Sequence, residues 1–224
     1  MPSRETLQSP EGQTRLVKHF ETHSLDGHTA GWTNLWDRGM PSAALIDIIE
    51  RREDLFNPIT IDGKKKALGC GKGYDVVTLA LHGFDVYGLE TSDRGASVAR
   101  EYVKMEIQEP QACNFGSASS EKTAQGRGEV TILRVFDMIL IIRMRRQWAG
   151  RMADLLAPPG YLVSLEFPLF KDPKLPGPPW GLRGVHWDLL AEGRDLRVVC
   201  VKPERSYANR KGTDMLSVWS KKSA

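Results

Sequence analysis

A glycine-rich turn followed by an acidic strand end constrains this chain more than any other feature. Ala67-Leu68-Gly69-Cys70-Gly71-Lys72-Gly73-Tyr74-Asp75 leads into the apolar run Val76, Val77, Leu79, Ala80 and Leu81, and Phe84-Asp85-Val86-Tyr87-Gly88-Leu89-Glu90 follows. Strand, turn, short helix and second strand make a β-α-β unit. The alternating glycines let the backbone turn tightly and approach a ligand, while a carboxylate at the tip of the second strand accepts hydrogen bonds from both hydroxyls of a ribose. The loop lacks the Lys-Ser/Thr ending of a phosphate-cradling P-loop. An adenosine cofactor is therefore expected on Gly69, Gly71, Gly73 and Glu90, and S-adenosylmethionine fits better than ATP or NAD.

Composition agrees with one catalytic domain over residues 15–224 behind a disordered tail at 1–14. At 224 residues, 41% hydrophobic, the chain is long enough to bury a single core. A net charge of +3, with dispersed basic residues, argues against a nucleic-acid-binding face. No apolar run reaches membrane-spanning length, and Met1-Pro2-Ser3-Arg4-Glu5 is polar, so the cytoplasm is the expected compartment. The three cysteines, Cys70, Cys113 and Cys200, contain no C-x-x-C pair, which speaks against a disulfide framework or a zinc site. Cys70 has no His/Asp partner motif to make it a nucleophile, and a small residue suits packing in the turn. The five histidines show no H-x-x-x-H or H-E-x-x-H spacing, so no metal is expected.

The rest of the chain reads as alternating helices and strands. Leu16, Val17 and Phe20 mark a helical segment before a turn-rich stretch from Gly27 to Gly39. Pro41 to Arg52 is a helix with Ala44, Leu45, Ile48 and Ile49 on one face. The first strand ends at Leu68 and the second at Glu90, after which Ser92 caps a helix carrying Ala96, Val98, Ala99 and Val103. Cys113 to Gly128 is loop. Val130 to Ile142 is β-branched and apolar, fitting one or two buried strands, and an amphipathic helix from Arg145 to Ala157 stops at Pro158-Pro159-Gly160. Tyr161 to Phe167 is a central strand. The proline-rich run from Pro168 to Trp180 is a surface excursion, and Leu196 to Val201 with Met215 to Trp219 form a closing antiparallel hairpin.

The motif Gly-Cys-Gly-Lys-Gly-Tyr-Asp-Val-Val with Gly-Phe-Asp-Val-Tyr-Gly-Leu-Glu resembles the thiol and halide methyltransferases of fungi and plants, relatives of thiopurine S-methyltransferase. Further matches keep the same order along the chain: Gly31-Trp32, Trp36-Asp37-Arg38-Gly39, Trp148-Ala149 with Met152 and Leu155-Leu156, Glu166-Phe167-Pro168, Gly177-Pro178-Pro179-Trp180 and Arg210-Lys211-Gly212. The resemblance implies an α/β Rossmann-type class I methyltransferase sheet with helices on both faces and a C-terminal antiparallel hairpin. It implies transfer of a methyl group from S-adenosylmethionine to a small thiol or similar soft nucleophile, and a monomer is expected. It also implies that Trp32 and Trp36 fold over the cofactor, where an indole face suits a positive sulfur; otherwise two tryptophans four residues apart form the apolar stripe of a helix. The Gly177-Pro178-Pro179-Trp180 loop is a substrate-side lid by resemblance, with a polyproline ligand for a partner domain or a stiff connector as its other readings.

Departures from the family flank the expected site. Trp36 answers to either of two family positions, so one aromatic wall is missing. The first strand is shorter than the family's, because Leu68 joins Gly69 directly. Cys113-Asn114-Phe115-Gly116 is a poor substitute for the Gly-Asp-Phe-Phe motif that meets the adenine. After Phe136-Asp137-Met138-Ile139, relatives continue with an acid, Tyr, Thr or Val and Phe, whereas here Leu140-Ile141-Ile142-Arg143-Met144-Arg145 intervenes. These changes predict weak or absent thiol methylation with cofactor binding better preserved. An altered splice form or gene model and decay into a non-catalytic binding homologue are the two accounts of them, and methylation of an oxygen or nitrogen acceptor is a further reading the fold allows. No residue stands out as a catalytic base.

Overall fold

The computed structural model describes residues 38–56, 65–69, 72–90, 93–110, 115–116, 128–134, 145–157, 160–175, 181–208 and 210–222. In chain order its elements are α1 (Ala43–Arg51), α2 (Glu53–Phe56), β1 (Lys65–Gly69), α3 (Tyr74–Leu81), β2 (Phe84–Glu90), α4 (Asp93–Gln108), β3 (Val130–Arg134), α5 (Arg145–Leu155), β4 (Leu162–Glu166), a π-helical turn (Trp187–Glu192), β5 (Leu196–Val201) and β6 (Met215–Lys221). They fall into two compact units, Met1–Ser42 with Ile59–Met138, and Ala43–Pro58 with Ile139–Ala224. The first is parallel α/β and the second is an antiparallel sheet with helices, so the α/β class expected from the sequence is what the chain adopts.

In the first unit β1, β2 and β3 lie side by side in that order, all parallel. Parallel neighbours need a crossover, and α3 and α4 supply the two. Helix α3 is buried nearly all round, through Val76, Val77, Leu79, Ala80 and Leu81, which is why its sequence shows an unbroken apolar run rather than a stripe. On β2 burial alternates, with Phe84, Val86 and Gly88 inward. Helix α4 buries Ala96, Ala99 and Val103, and Arg100 donates to the Ile132 carbonyl of β3 at 3.1 Å. Tyr74 and Tyr102 meet edge to face at 4.9 Å between α3 and α4.

In the second unit β6 runs between β4 and β5, antiparallel to both. Its alternation sorts the core. Leu216 and Val218 face α1 and α2, packing with Ala44, Ile48, Leu55 and Val201. Trp219 points the other way, into a cluster with Ala149 of α5, Leu156, Leu190 of the π-helical turn and Leu196. Helices therefore cover both faces of this sheet. Asp47, 2% exposed on α1, accepts bidentate hydrogen bonds from Arg51 at 2.6 and 3.0 Å and the Glu204 amide at 2.9 Å. This ties the helix to the loop between β5 and β6, with Arg205 as a third donor at 3.3 Å.

The expected helix over 41–52 is α1, the strand ends at Leu68 and Glu90 match β1 and β2 to within a residue, and the closing hairpin is β5 and β6. Arg145 to Ala157 is α5, and Tyr161 to Phe167 is β4, which among the described residues is an edge strand, paired on one side with β6, rather than the central strand expected; β6 takes the middle place. Of the Val130 to Ile142 stretch, Val130–Arg134 is strand β3 and the remainder lies outside the described residues. The same holds for the tail, the Leu16 to Phe20 segment, the Ser92 cap, most of Cys113 to Gly128 and the Gly177 to Trp180 lid. The π-helical turn was not expected at all.

Candidate functional site

The carboxyl ends of parallel strands are where open α/β sheets bind ligands, and here that edge belongs to β1 and β2. Gly69 closes β1 opposite Gly88, so Glu90 stands two residues, about 7 Å at the rise of a strand, beyond the start of the glycine turn. Its side chain has the strand parity of Gly88. Two glycines shape the surroundings. Gly73, at φ +95° before the first turn of α3, occupies the left-handed region, and a Cβ there would lie 2.9 Å from Val103 Cγ2. Gly95, in the first turn of α4, faces Glu90: a Cβ there would lie 2.9 Å from Glu90 Cδ and 3.3 Å from Oε1. The missing methyl is what gives the Glu90 carboxylate its place.

Asp75, in the first turn of α3, accepts the Ser42 amide at 2.8 Å across 33 residues of sequence. Burial pushes its carboxyl up, and the Ser42 amide only partly offsets this. The hydrogen bond fastens the chain just before α1 to the helix that begins at the glycine turn. Of the residues the sequence selected, the structure brings Gly69, Gly73 and Glu90 to one edge. Trp32, Trp36 and Gly71 lie outside the described residues. A turn that opens into a helix, a glycine cradle that a Cβ would fill, and a carboxylate at the neighbouring strand tip together fit an adenosine-bearing cofactor.

Within the second unit the sequence missed a second constellation. Glu166 ends β4, and its Oε1 accepts the Ser217 hydroxyl at 2.5 Å; that hydroxyl in turn accepts the Trp219 indole N–H at 3.0 Å. His186 Nδ1, buried, lies 3.2 Å from the same Oε1, at ion-pair distance but without the alignment of a hydrogen bond. The Trp148 ring of α5 lies 5.7 Å from the imidazole. Burial works to raise the Glu166 carboxyl, but the contacts from His186 and Ser217 outweigh it and hold the group below the usual range. In the same unit, Arg210 lies over the rings of Phe167 and Tyr207, at 4.6 and 5.3 Å. Glu166 and Arg210 stood in the sequence only as parts of family-like motifs, and nothing in their spacing pointed to these contacts. Among the described residues no helix is long and apolar enough to cross a membrane.

Comparison with known proteins gives the family of the chain. The family model described as thiopurine S-methyltransferase matches residues 29–215. The chain is 30% identical over 194 residues to "Probable thiol methyltransferase 2" of Arabidopsis thaliana, covering 84% of this chain and 80% of the relative. It is 27% identical over 191 residues to "Thiocyanate methyltransferase 1" of Brassica oleracea, covering 83% and 79%. A solved O-methyltransferase from Bacillus cereus, in complex with SAH, superimposes with a TM-score of 0.46 at 13% identity over 99% of this chain and 93% of that one. The glycine turn at 69–73, the acid that ends β2 and a family match spanning most of the chain lead to one assignment: this chain belongs to the thiopurine S-methyltransferase family and is an S-adenosylmethionine-dependent methyltransferase.

Proposed function

We propose that the chain transfers a methyl group to a small thiol or similarly soft nucleophile, slowly by the standard of its relatives. The observation that carries the acceptor class is the family match over residues 29–215, joined by relatives named for thiols and thiocyanate. When bound, S-adenosylmethionine supplies a methyl group already activated on a sulfonium. What remains for the protein is to bind, align and exclude water, because displacement in line needs chiefly proximity and orientation.

In this reading Gly69, Gly71 and Gly73 keep the turn open to the cofactor, and Glu90 accepts the two ribose hydroxyls. Trp32 and Trp36 cover the sulfonium with their indole faces. The assembly is a cytoplasmic monomer with a small-molecule acceptor and no nucleic acid, in keeping with the dispersed charge and scattered cysteines. Leu140 to Arg145, standing where relatives carry an acid and aromatics, slows turnover more than it weakens cofactor binding, since the glycines and Glu90 belong to other strands. The same segment favours the second reading, a binding protein that has lost catalysis. Calorimetry with S-adenosylhomocysteine beside a turnover assay with hydrosulfide and thiophenol separates the two: binding with slow turnover supports the first, and binding without turnover supports the second.

A further inference from the structure

We propose that the outer edge of β5 receives an extended acidic segment of another protein as an added antiparallel strand, with one of its apolar side chains in the cavity beside Trp187. The surface lies wholly within the second unit and is independent of the methyl acceptor. Strand β5 pairs with β6 on one side, and among the described residues no hydrogen bond reaches its other side. Alternate amides and carbonyls of this strand therefore point away from the sheet. Edge strands are usually protected by charges, proline or a bulge. Leu196–Val201 has five apolar residues, a single charge and no proline, and its register with β6 is unbroken. It is also open to solvent: Val199 is 36% exposed, and Arg197 and Cys200 are exposed with it. Strand β4, at the opposite edge, is half-buried along its whole length.

The chemistry of the occupant follows from the two faces of the strand. Leu196 and Val198 lie opposite Lys221 and Trp219 and share the Trp219 face, whereas Arg197 and Val199 lie opposite Ser220 and Val218 on the other. Against Leu196 and Val198 a cavity of about 330 Å³ opens, walled also by Trp187 and Ala191 of the π-helical turn. Trp187 is 52% exposed, and its indole N–H donates to Glu192 Oε1 at 3.3 Å. A strand edge with an apolar hollow beside it is the arrangement that binds added strands, the main chain giving affinity and the hollow selecting a side chain. Charge selects further. Arg194, Arg197 and Lys202 are exposed along the edge, and none is matched by a carboxylate among the described residues; Arg194 donates to the Arg146 carbonyl, and Arg197 and Lys202 have no side-chain partner there. The nearby acids are already taken, Asp195 by Lys222 and Glu204 by Arg51. The strip is thus net positive. A strand that alternates apolar and acidic residues suits both faces, apolar toward Trp187 and acidic beside Arg197.

The test uses the whole chain and a fluorescein-labelled peptide amide, Leu-Glu-Val-Glu-Val-Glu-Val, read by fluorescence anisotropy and by hydrogen exchange of the β5 amides. Binding protects the alternate β5 amides that β6 leaves free. N-methylation of the peptide at alternate residues abolishes binding in one phase and spares it in the other, because only one phase faces β5. Arg197→Glu and Lys202→Glu, both at exposed positions, each weaken the peptide about fivefold by trading attraction across the strands for repulsion, and each strengthen a peptide with Lys in place of Glu. Trp187→Ala weakens both peptides alike. Absence of binding, binding indifferent to the phase of N-methylation, or equal binding of the acidic and basic peptides overturns the proposal. So does protection of the whole of β5 in the chain without peptide: sedimentation then assigns the edge to a second copy if it shows a dimer, and to another segment of this chain if it shows a monomer.

Discussion

Gly95 and Glu90 are fitted to each other: a methyl group on the glycine would sit 2.9 Å from the carboxyl carbon of the acid. The collision would be with the end of a flexible side chain, so it would move the carboxylate rather than unfold the helix. Gly95→Ala is therefore expected to separate stability from binding. Alanine raises helix stability by about 0.5–1 kcal/mol where it is tolerated, so the melting temperature should not fall. Affinity for S-adenosylhomocysteine should drop toward that of Glu90→Ala. Calorimetry and thermal melts on the same preparations check both halves.

Removing the acid itself sets the scale. Losing two charge-assisted hydrogen bonds, with partial replacement by water, costs about 2–4 kcal/mol. Glu90→Ala should accordingly bind S-adenosylmethionine tens- to hundreds-fold more weakly while remaining folded. Equal affinity in a folded variant would remove Glu90 from the site.

Gly73→Ala should behave in the opposite manner to Gly95→Ala. At φ +95° an alanine is strained, and its Cβ would lie 2.9 Å from Val103 Cγ2 in the core. Strain of this kind costs about 1–3 kcal/mol. Urea denaturation should show a loss of about 2 kcal/mol in stability with an unchanged slope.

Asp47 gives the pH dependence. Burial pushes its carboxyl up, but hydrogen bonds from Arg51, the Glu204 amide and Arg205 prevail and leave it below its ordinary value of 3.8. A carboxyl depressed by folding contributes stability that is complete above the unfolded value and is lost as pH falls through 3.8 to the lower folded value. Its arginine partners are 35% and 45% exposed and rehydrate when it is removed. Asp47→Asn should thus cost about 1.5–3 kcal/mol at neutral pH, less than the loss of a partner in a fully buried pair. The gap between variant and wild type should close in acid below 3.8.

Much of the fold could be read directly from local signals. The glycine turn, the apolar run after it and the acid at Glu90 together specify β1, α3 and β2, because turn chemistry, periodicity and strand ends agree there. Contacts across long separations left no such trace. Asp47 reads as a polar interruption on a helix, and its amide partner at Glu204 is 157 residues away. His186 stands at the start of a π-helical turn whose period departs from 3.6, so the pattern that reveals helices fails over Trp187–Glu192. Its pairing with Glu166, twenty residues earlier, exists only once the chain has folded, and neither residue belongs to a spacing motif. Gly95, next to no other glycine, gave no sign that it makes room for an acid on a different element.

The most direct test of the account is a single-turnover transfer of labelled methyl from S-adenosylmethionine to thiophenol, run on the chain as it stands and on one with an acid-Tyr-Thr-Phe segment in place of Leu140 to Ile142. The account predicts labelled thioanisole from both, slowly from the first and faster from the second. No labelled thioether from either chain, or label passing only to an oxygen or nitrogen acceptor, would contradict it.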